Sequence, residues 1–292
     1  MTAEKPSALD KVRTWIRDGG VSGDPENHAM PLMEHLRELR NRVFVTVAGV
    51  LVGLCVGLYA VKGVERFVTA PIRVFIVPKA EWSDWDRSYA EISAPVLALV
   101  STGPIKGTLS VATPTEGMYV WLYFGLIGGA VIAVPVALWQ LWLFVAPGLY
   151  GTERRAVLPL VAASTFLFAL GAAFCYFVIF PMSFPFFLTA VDAEPVVSIY
   201  AWLETFMQMM AGFGVSFQLP IGVYFLARLG LIDHLDMIRF FRYSAVAIVV
   251  IAALLTPPDV LSQILLSVPL FLLYGVGIGV AWIFTTKKRE PA

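Results

Sequence analysis

The chain has 292 residues, 58% of them hydrophobic and 14% charged, and its mean hydropathy of +0.76 lies well above that of water-soluble domains, which excludes a soluble core protein. Its 21 lysines and arginines balance 21 acids, so the basic footprint of a nucleic-acid-binding protein is missing. Cys55 and Cys175 sit inside apolar runs with no metal-ligand spacing, and the first thirty residues hold no signal-peptide core, so insertion is expected to begin from an internal span.

In chain order, residues 1–30 form a polar leader, 31–286 a membrane domain of six spans and 287–292 a short tail. In the leader Leu9, Val12, Trp15 and Ile16 share a face against Lys11, Arg13 and Arg17, a pattern open to two readings, a solvated tail or a surface-docking helix. Pro31 suits a helix start, and Leu32, Leu36, Leu39 and Val43 line one apolar stripe running into span 1, about Val43–Val61. Residues 62–117 carry Pro71, Pro78, Pro95, Pro104 and Pro114 and predict short helices capping the bilayer surface. Span 2, about 118–146, is interrupted by Pro135, and span 3 covers about 156–180. Span 4, about 199–229, contains Glu204, Gln208, Gln218 and Pro220, which is polar for a segment at membrane depth. Span 5, Tyr243–Leu255, has 13 residues and reaches roughly 20 Å against a hydrocarbon core of about 30 Å, so the bilayer beside it is expected to thin. Span 6, about 260–284, contains Gly275, Gly277 and Gly279, small residues that permit close helix approach. Bends at Pro135 and Pro220 would cup the bundle. The expectation is an all-α membrane protein of six kinked transmembrane helices forming a concave wall.

Counting positive residues on alternate sides of these spans gives fifteen on the side of both termini and six on the other, all six in the 62–117 loop. Positive flanks stay cytoplasmic. Both termini are therefore predicted to face the cytoplasm.

Enzymatic constellations are scarce. The histidines, His28, His35 and His234, fall in polar segments, and no HExxH, GxSxG or Walker A pattern occurs, so neither a membrane protease nor an ATPase is predicted, and no metal or cofactor is called for. Carboxylates gather at Glu34 and Glu38 before span 1 and at Glu153 after span 2, a candidate surface for cations. Glu204 and Gln208 are one turn apart. Fourteen residues at about 100° each place Gln218 about 40° from the Glu204 direction, so the three form one buried polar stripe. A second reading hydrates Glu204 near the outer interface and bonds Gln218 to a neighbouring helix. Asp259, after Pro257 and Pro258, is placed as the N-cap of span 6.

Four segments recur in one order: HLRELRNR before span 1, FVAPGLYGTERR after span 2, FGVSFQLP in span 4 and LLTPPDVLSQ between spans 5 and 6. Together with the six spans they resemble the TatC family, the signal-peptide receptors of twin-arginine translocases, over nearly all of residues 31–284. The resemblance implies a cofactor-free receptor in the bacterial cytoplasmic (inner) membrane. Such a receptor binds twin-arginine signal peptides and, with TatA and TatB type subunits in a multi-copy receptor complex, exports folded proteins on the proton-motive force. It assigns signal-peptide recognition to Glu153 and to Glu38 with Arg40. Paired guanidiniums fit carboxylates bidentately, which supports the assignment. The alternatives are a cap on span 3 for Glu153 and an i,i+4 pairing with Arg42 for Glu38. Gln218 departs from the family pattern, which commonly has Glu there. Two rivals remain: a small-solute secondary transporter using the span 4 stripe, and a scaffold for another membrane complex.

Overall fold

A computed structural model describes residues 32–100, 107–111, 113–145, 157–189, 196–228, 230, 232–255 and 260–286. The chain divides into two units, residues 1–43 and 44–292. Of the first, only the opening of helix α1 (Leu32–Tyr59) is described.

Among the described residues five helices are long and apolar enough to cross a membrane: Leu39–Tyr59, Pro114–Phe144, Leu158–Phe186, Ile199–Ala227 and Gln263–Ile283. A shorter apolar helix runs Phe241–Leu254. All six expected spans are thus helical and begin or end within a few residues of their hydropathy limits. The helices that carry them are α1, α5 (Pro114–Val145), α6 (Val157–Phe174) continuing into α7 (Phe180–Thr189), α8 (Ile199–Ser216) with α9 (Leu219–Arg228), α11 (Phe241–Leu255) and α12 (Val260–Thr286). At 15 residues, α11 is about 22 Å long, so the short fifth span is a property of the fold.

The loop after span 1 forms α2 (Val61–Ile76), a 3₁₀ turn at Lys79–Glu81, α3 (Asp84–Ile92) and α4 (Ala94–Leu97), the short helices that its composition predicts. The all-α expectation holds, with one local exception. Strand β1 (Thr108–Ser110) pairs in parallel with β2 (Val196–Ser198), Leu109 opposite Val197, and each strand leads into a membrane helix, α5 or α8. Helix α10 (His234–Arg239) joins α9 to α11, capped by Asp233 and Asp236 in a reciprocal pair.

The backbone breaks beside Pro220, as its sequence suggests, and at a further place that was not expected. Helix α5 is unbroken at Pro135. In span 4 the helix ends at Ser216 and restarts at Leu219, so Pro220 stands in the first turn of α9, where a missing N–H is not needed. In span 3 the chain widens into a π turn, Cys175–Ile179, just before Pro181, whose ring would crowd the Phe177 carbonyl in an α register.

Close helix approach also occurs where it was not expected. Gly53 and Gly57 of α1 face Gly125 and Gly129 of α5, and a Cβ at Gly53 would stand 2.5 Å from the Gly129 carbonyl oxygen. Two small-xxx-small ridges therefore interlock. On α12, by contrast, Gly275 and Gly279 meet open space, while a Cβ at Gly277 would stand 3.3 Å from Val223 Cγ2, a tight side-chain contact.

The centre of the larger unit is aromatic. Phe67 stacks on Tyr176 at 4.4 Å, and Phe180 stacks on Phe206 at 5.2 Å. Tyr176 also repairs the backbone. Pro71 has no N–H, so the Phe67 carbonyl lacks its helical donor, and the Tyr176 hydroxyl donates to it at 2.6 Å. In the π register the Tyr176 carbonyl would be served by Pro181, which cannot donate, and the Tyr89 hydroxyl donates there instead at 3.1 Å. Trp202 Nε1 bonds the Val68 carbonyl at 3.0 Å, and Trp85 Nε1 donates to the Tyr176 hydroxyl at 3.3 Å. Buried Asp86 holds α3 in place: its Oδ2 accepts from the Ser83 N–H and hydroxyl at 2.8 Å each and from Arg73 Nε at 3.2 Å.

Candidate functional site

Of the residues expected to bind paired arginines, Glu38 and Arg40 lie in the opening turns of α1, with Arg40 exposed. Glu153 lies outside the described residues, as do Pro257, Pro258 and Asp259.

The three polar residues of span 4 are described, and they do not form the buried stripe that helical counting implies. The count fails because the helix ends before Gln218. Glu204 and Gln208 are exposed and Gln218 half-buried, and each has a different environment. Gln208 Nε2 donates at 2.8 Å to the Leu254 carbonyl, one of the last carbonyls of α11, which has no helical donor. In lipid such a group has few other partners. Gln263 Nε2 reaches the Val249 carbonyl from the opposite flank at 3.3 Å. Gln218 Nε2 donates to the Ser164 carbonyl of α6 at 2.9 Å, and the Ser164 hydroxyl accepts from Trp142 Nε1 at 2.6 Å. The neighbouring-helix reading of Gln218 therefore holds, and its own amide oxygen is buried without a partner among the described residues.

Glu204 stands one turn after Tyr200, close enough to act on it electrostatically. Tyr200 in turn meets two tyrosines of α5, Tyr119 with ring centroids 6.1 Å apart at 62° and Tyr123 at 5.7 Å and 81°. These three rings were not singled out by sequence, although the four-residue spacing of Tyr119 and Tyr123 puts them on one helix face. Below this cluster an apolar groove of about 580 Å³ runs between α5 and α8 with α6 as its floor. Ile127, Val131 and Val134 line one wall, Met207, Met210 and Ala211 the other, and only Thr165 and Tyr176 bring side-chain oxygens.

In α3, burial first and then neighbouring Tyr176 push the Tyr89 phenol far above its ordinary value. Among the described residues no group of three or more His, Cys, Asp or Glu side chains is placed to hold a metal ion.

Comparison with known proteins places this architecture. The family model "Sec-independent protein translocase protein (TatC)" matches residues 34–269. The Sec-independent protein translocase protein TatC of Helicobacter pylori strain J99 is 36% identical over 261 residues, covering 89% of this chain and 92% of that protein. Its counterpart from Aquifex aeolicus is 34% identical over 265 residues, covering 89% and 98%. A crystal structure described as the twin arginine translocase receptor TatC superposes with a TM-score of 0.69 at 32% identity, covering 86% of this chain and 99% of that one.

Proposed function

Because the chain belongs to the TatC family of Sec-independent protein translocase proteins, we propose that it is the signal-peptide receptor and core subunit of a twin-arginine translocase. The observation that carries this reading is the family match over 34–269, supported by a solved relative described as a receptor. The solute-transporter and scaffold readings give way to it. The protein sits in the bacterial cytoplasmic (inner) membrane with both termini inside, binds twin-arginine signal peptides, and works with TatA and TatB type subunits to move folded cargo on the proton-motive force.

Recognition follows from charge and geometry. Adjacent guanidiniums present planar forks, and carboxylates accept two parallel bonds from each, which an ammonium does not reproduce. Glu153 and Glu38 are the acceptors, with Arg40 as a further member of the site, and the Pro257–Pro258–Asp259 turn positions the start of span 6.

The test is signal-peptide affinity in nanodiscs at two salt concentrations. Glu153→Ala loses a charged hydrogen bond, typically about 1.5–3 kcal/mol, and affinity should fall roughly tenfold or more. Glu153→Gln should fail almost as badly, Glu153→Asp should keep part of the binding, and Glu38→Ala should act in the same direction. Rising salt should weaken the wild-type contact. Unchanged affinity in both alanine variants overturns the assignment of these residues. Orientation is checked by cysteine labelling: Gly151, His234 and Lys288 positions react from the cytoplasm, Trp82 and Asp192 only from outside.

A further inference from the structure

We propose that the α5–α8 groove is a binding site for one membrane lipid with a primary ammonium headgroup, a phosphatidylethanolamine, held by Glu204 and the Tyr119–Tyr123–Tyr200 cluster. The first observation is an unbalanced charge. Among the described residues Glu204 has neither an ion pair nor a hydrogen bond, and its side chain is exposed. It lies five residues into a helix that starts the fourth span at Ile199, near the end of a 29-residue span that is longer than a hydrocarbon core of about 30 Å, at the level where lipid headgroups meet the core. A carboxylate at that boundary gains from a cation beside it.

The second observation is what surrounds that charge. Tyr119, Tyr123 and Tyr200 meet edge to face within 6.1 Å of one another's centroids through Tyr200. Such rings attract a cation over their faces, and their hydroxyls are donors suited to the phosphate beside a lipid ammonium. The third is alignment. Glu204, Met207 and Ala211 share one face of α8, and Tyr119, Tyr123, Ile127, Val131 and Val134 share one face of α5. The polar cluster therefore stands directly above the apolar groove on both walls. From Tyr123 to Pro135 the groove wall runs twelve residues, about 18 Å, close to half of a hydrocarbon core of about 30 Å. A headgroup at Glu204 and one acyl chain in the groove match that length, whereas a partner helix would bring a cylinder about 10 Å wide.

The experiment is native mass spectrometry of the full-length protein released from detergent after equilibration with phosphatidylethanolamine, phosphatidylcholine or phosphatidylglycerol. Ethanolamine lipid should be retained at least about tenfold more than glycerol lipid, with choline lipid between them because it keeps the cation–π contact and loses the hydrogen bond. Glu204→Gln should erase the preference for ethanolamine, and Ala211→Trp, which fills the groove, should lower retention of all three. A photo-crosslinker at position 207 in whole membranes should capture lipid. Equal retention of the ethanolamine and glycerol lipids, a Glu204→Gln variant with wild-type preference, or capture of a polypeptide at position 207 overturns the proposal. None of these readouts involves signal-peptide binding, so the receptor reading stands or falls separately.

Discussion

The core around Tyr176 and the short span α11 solve the same problem in opposite ways. In the core, prolines at 71 and 181 remove two donors, and tyrosine hydroxyls replace both, in a region where Tyr89, Tyr176, Phe180 and Phe206 are each no more than 1% exposed. Both of these broken backbone bonds have a side chain assigned to them. On α11 only Ile248 and Ala252 are buried among the described side chains, while Val246, Val250, Ile251 and Leu254 are exposed. That helix is held by polar pins: Gln208, Gln263 and the Ser244–Tyr274 pair at 3.0 Å. The first region is built for rigidity, and the second leaves an apolar face to its surroundings with its position fixed by a few hydrogen bonds.

The sharpest way to break the contrast is Tyr176→Phe. It orphans the Phe67 carbonyl, and leaving a buried group unpaired costs about 1–3 kcal/mol, whereas Trp85, 45% exposed, loses an acceptor on a side chain that is not buried, so thermal unfolding in detergent should show a loss of about 1–3 kcal/mol. A Tyr176→Phe protein as stable as wild type would mean that the hydroxyl is not a backbone partner. Next comes pH. Because the folded-state pKa of Tyr89 is raised above its ordinary 10.0, the native state keeps a proton that the unfolded chain releases above pH ~10. The stabilisation is complete below that pH and declines as pH rises beyond it. Comparing melting at pH 9 and pH 11, wild type should lose more stability than Tyr89→Phe. The smallest effect belongs to α11. Val250→Ala removes exposed apolar surface and should shift stability by less than about 0.5 kcal/mol. Lengthening α11 by four leucines should likewise leave melting nearly unchanged yet impair export of a folded cargo, because it adds about 6 Å to a helix of about 22 Å and most of the mismatch against a core of about 30 Å is then removed. Normal export by a correctly inserted long variant would deny the short span any such role.

Much of this fold was legible in the sequence because hydropathy is a property of runs: six apolar stretches became six helices. What escaped depends on pairs far apart in the chain. Pro71 and Pro181 are visible as prolines, but that Tyr176 and Tyr89 serve the carbonyls they strand is set by contacts 109 and 87 residues apart. Three-residue strands leave no periodicity to read, so β1 and β2 were missed. Gly53 and Gly57 carried a small-xxx-small signal, and so did Gly125 and Gly129, yet the clustered glycines of span 6 drew the reading there. Of the candidate site, Glu38 and Glu153 came from motif resemblance, whereas Gln208 and Gln218 acquired their partners only once α6 and α11 were in place beside them.

The Trp202–Val68 bond joins residues 134 apart, and this sets a clock on assembly. At about 5–20 residues per second, the backbone around Val68 waits on the order of ten seconds before its indole partner is even synthesised, and Tyr176 reaches Phe67 only a little earlier. During that interval α2 and α3 have no finished surface to close on. The segment that follows the first span therefore matures last among its neighbours, and a chain interrupted after its second span should remain open to proteolysis there.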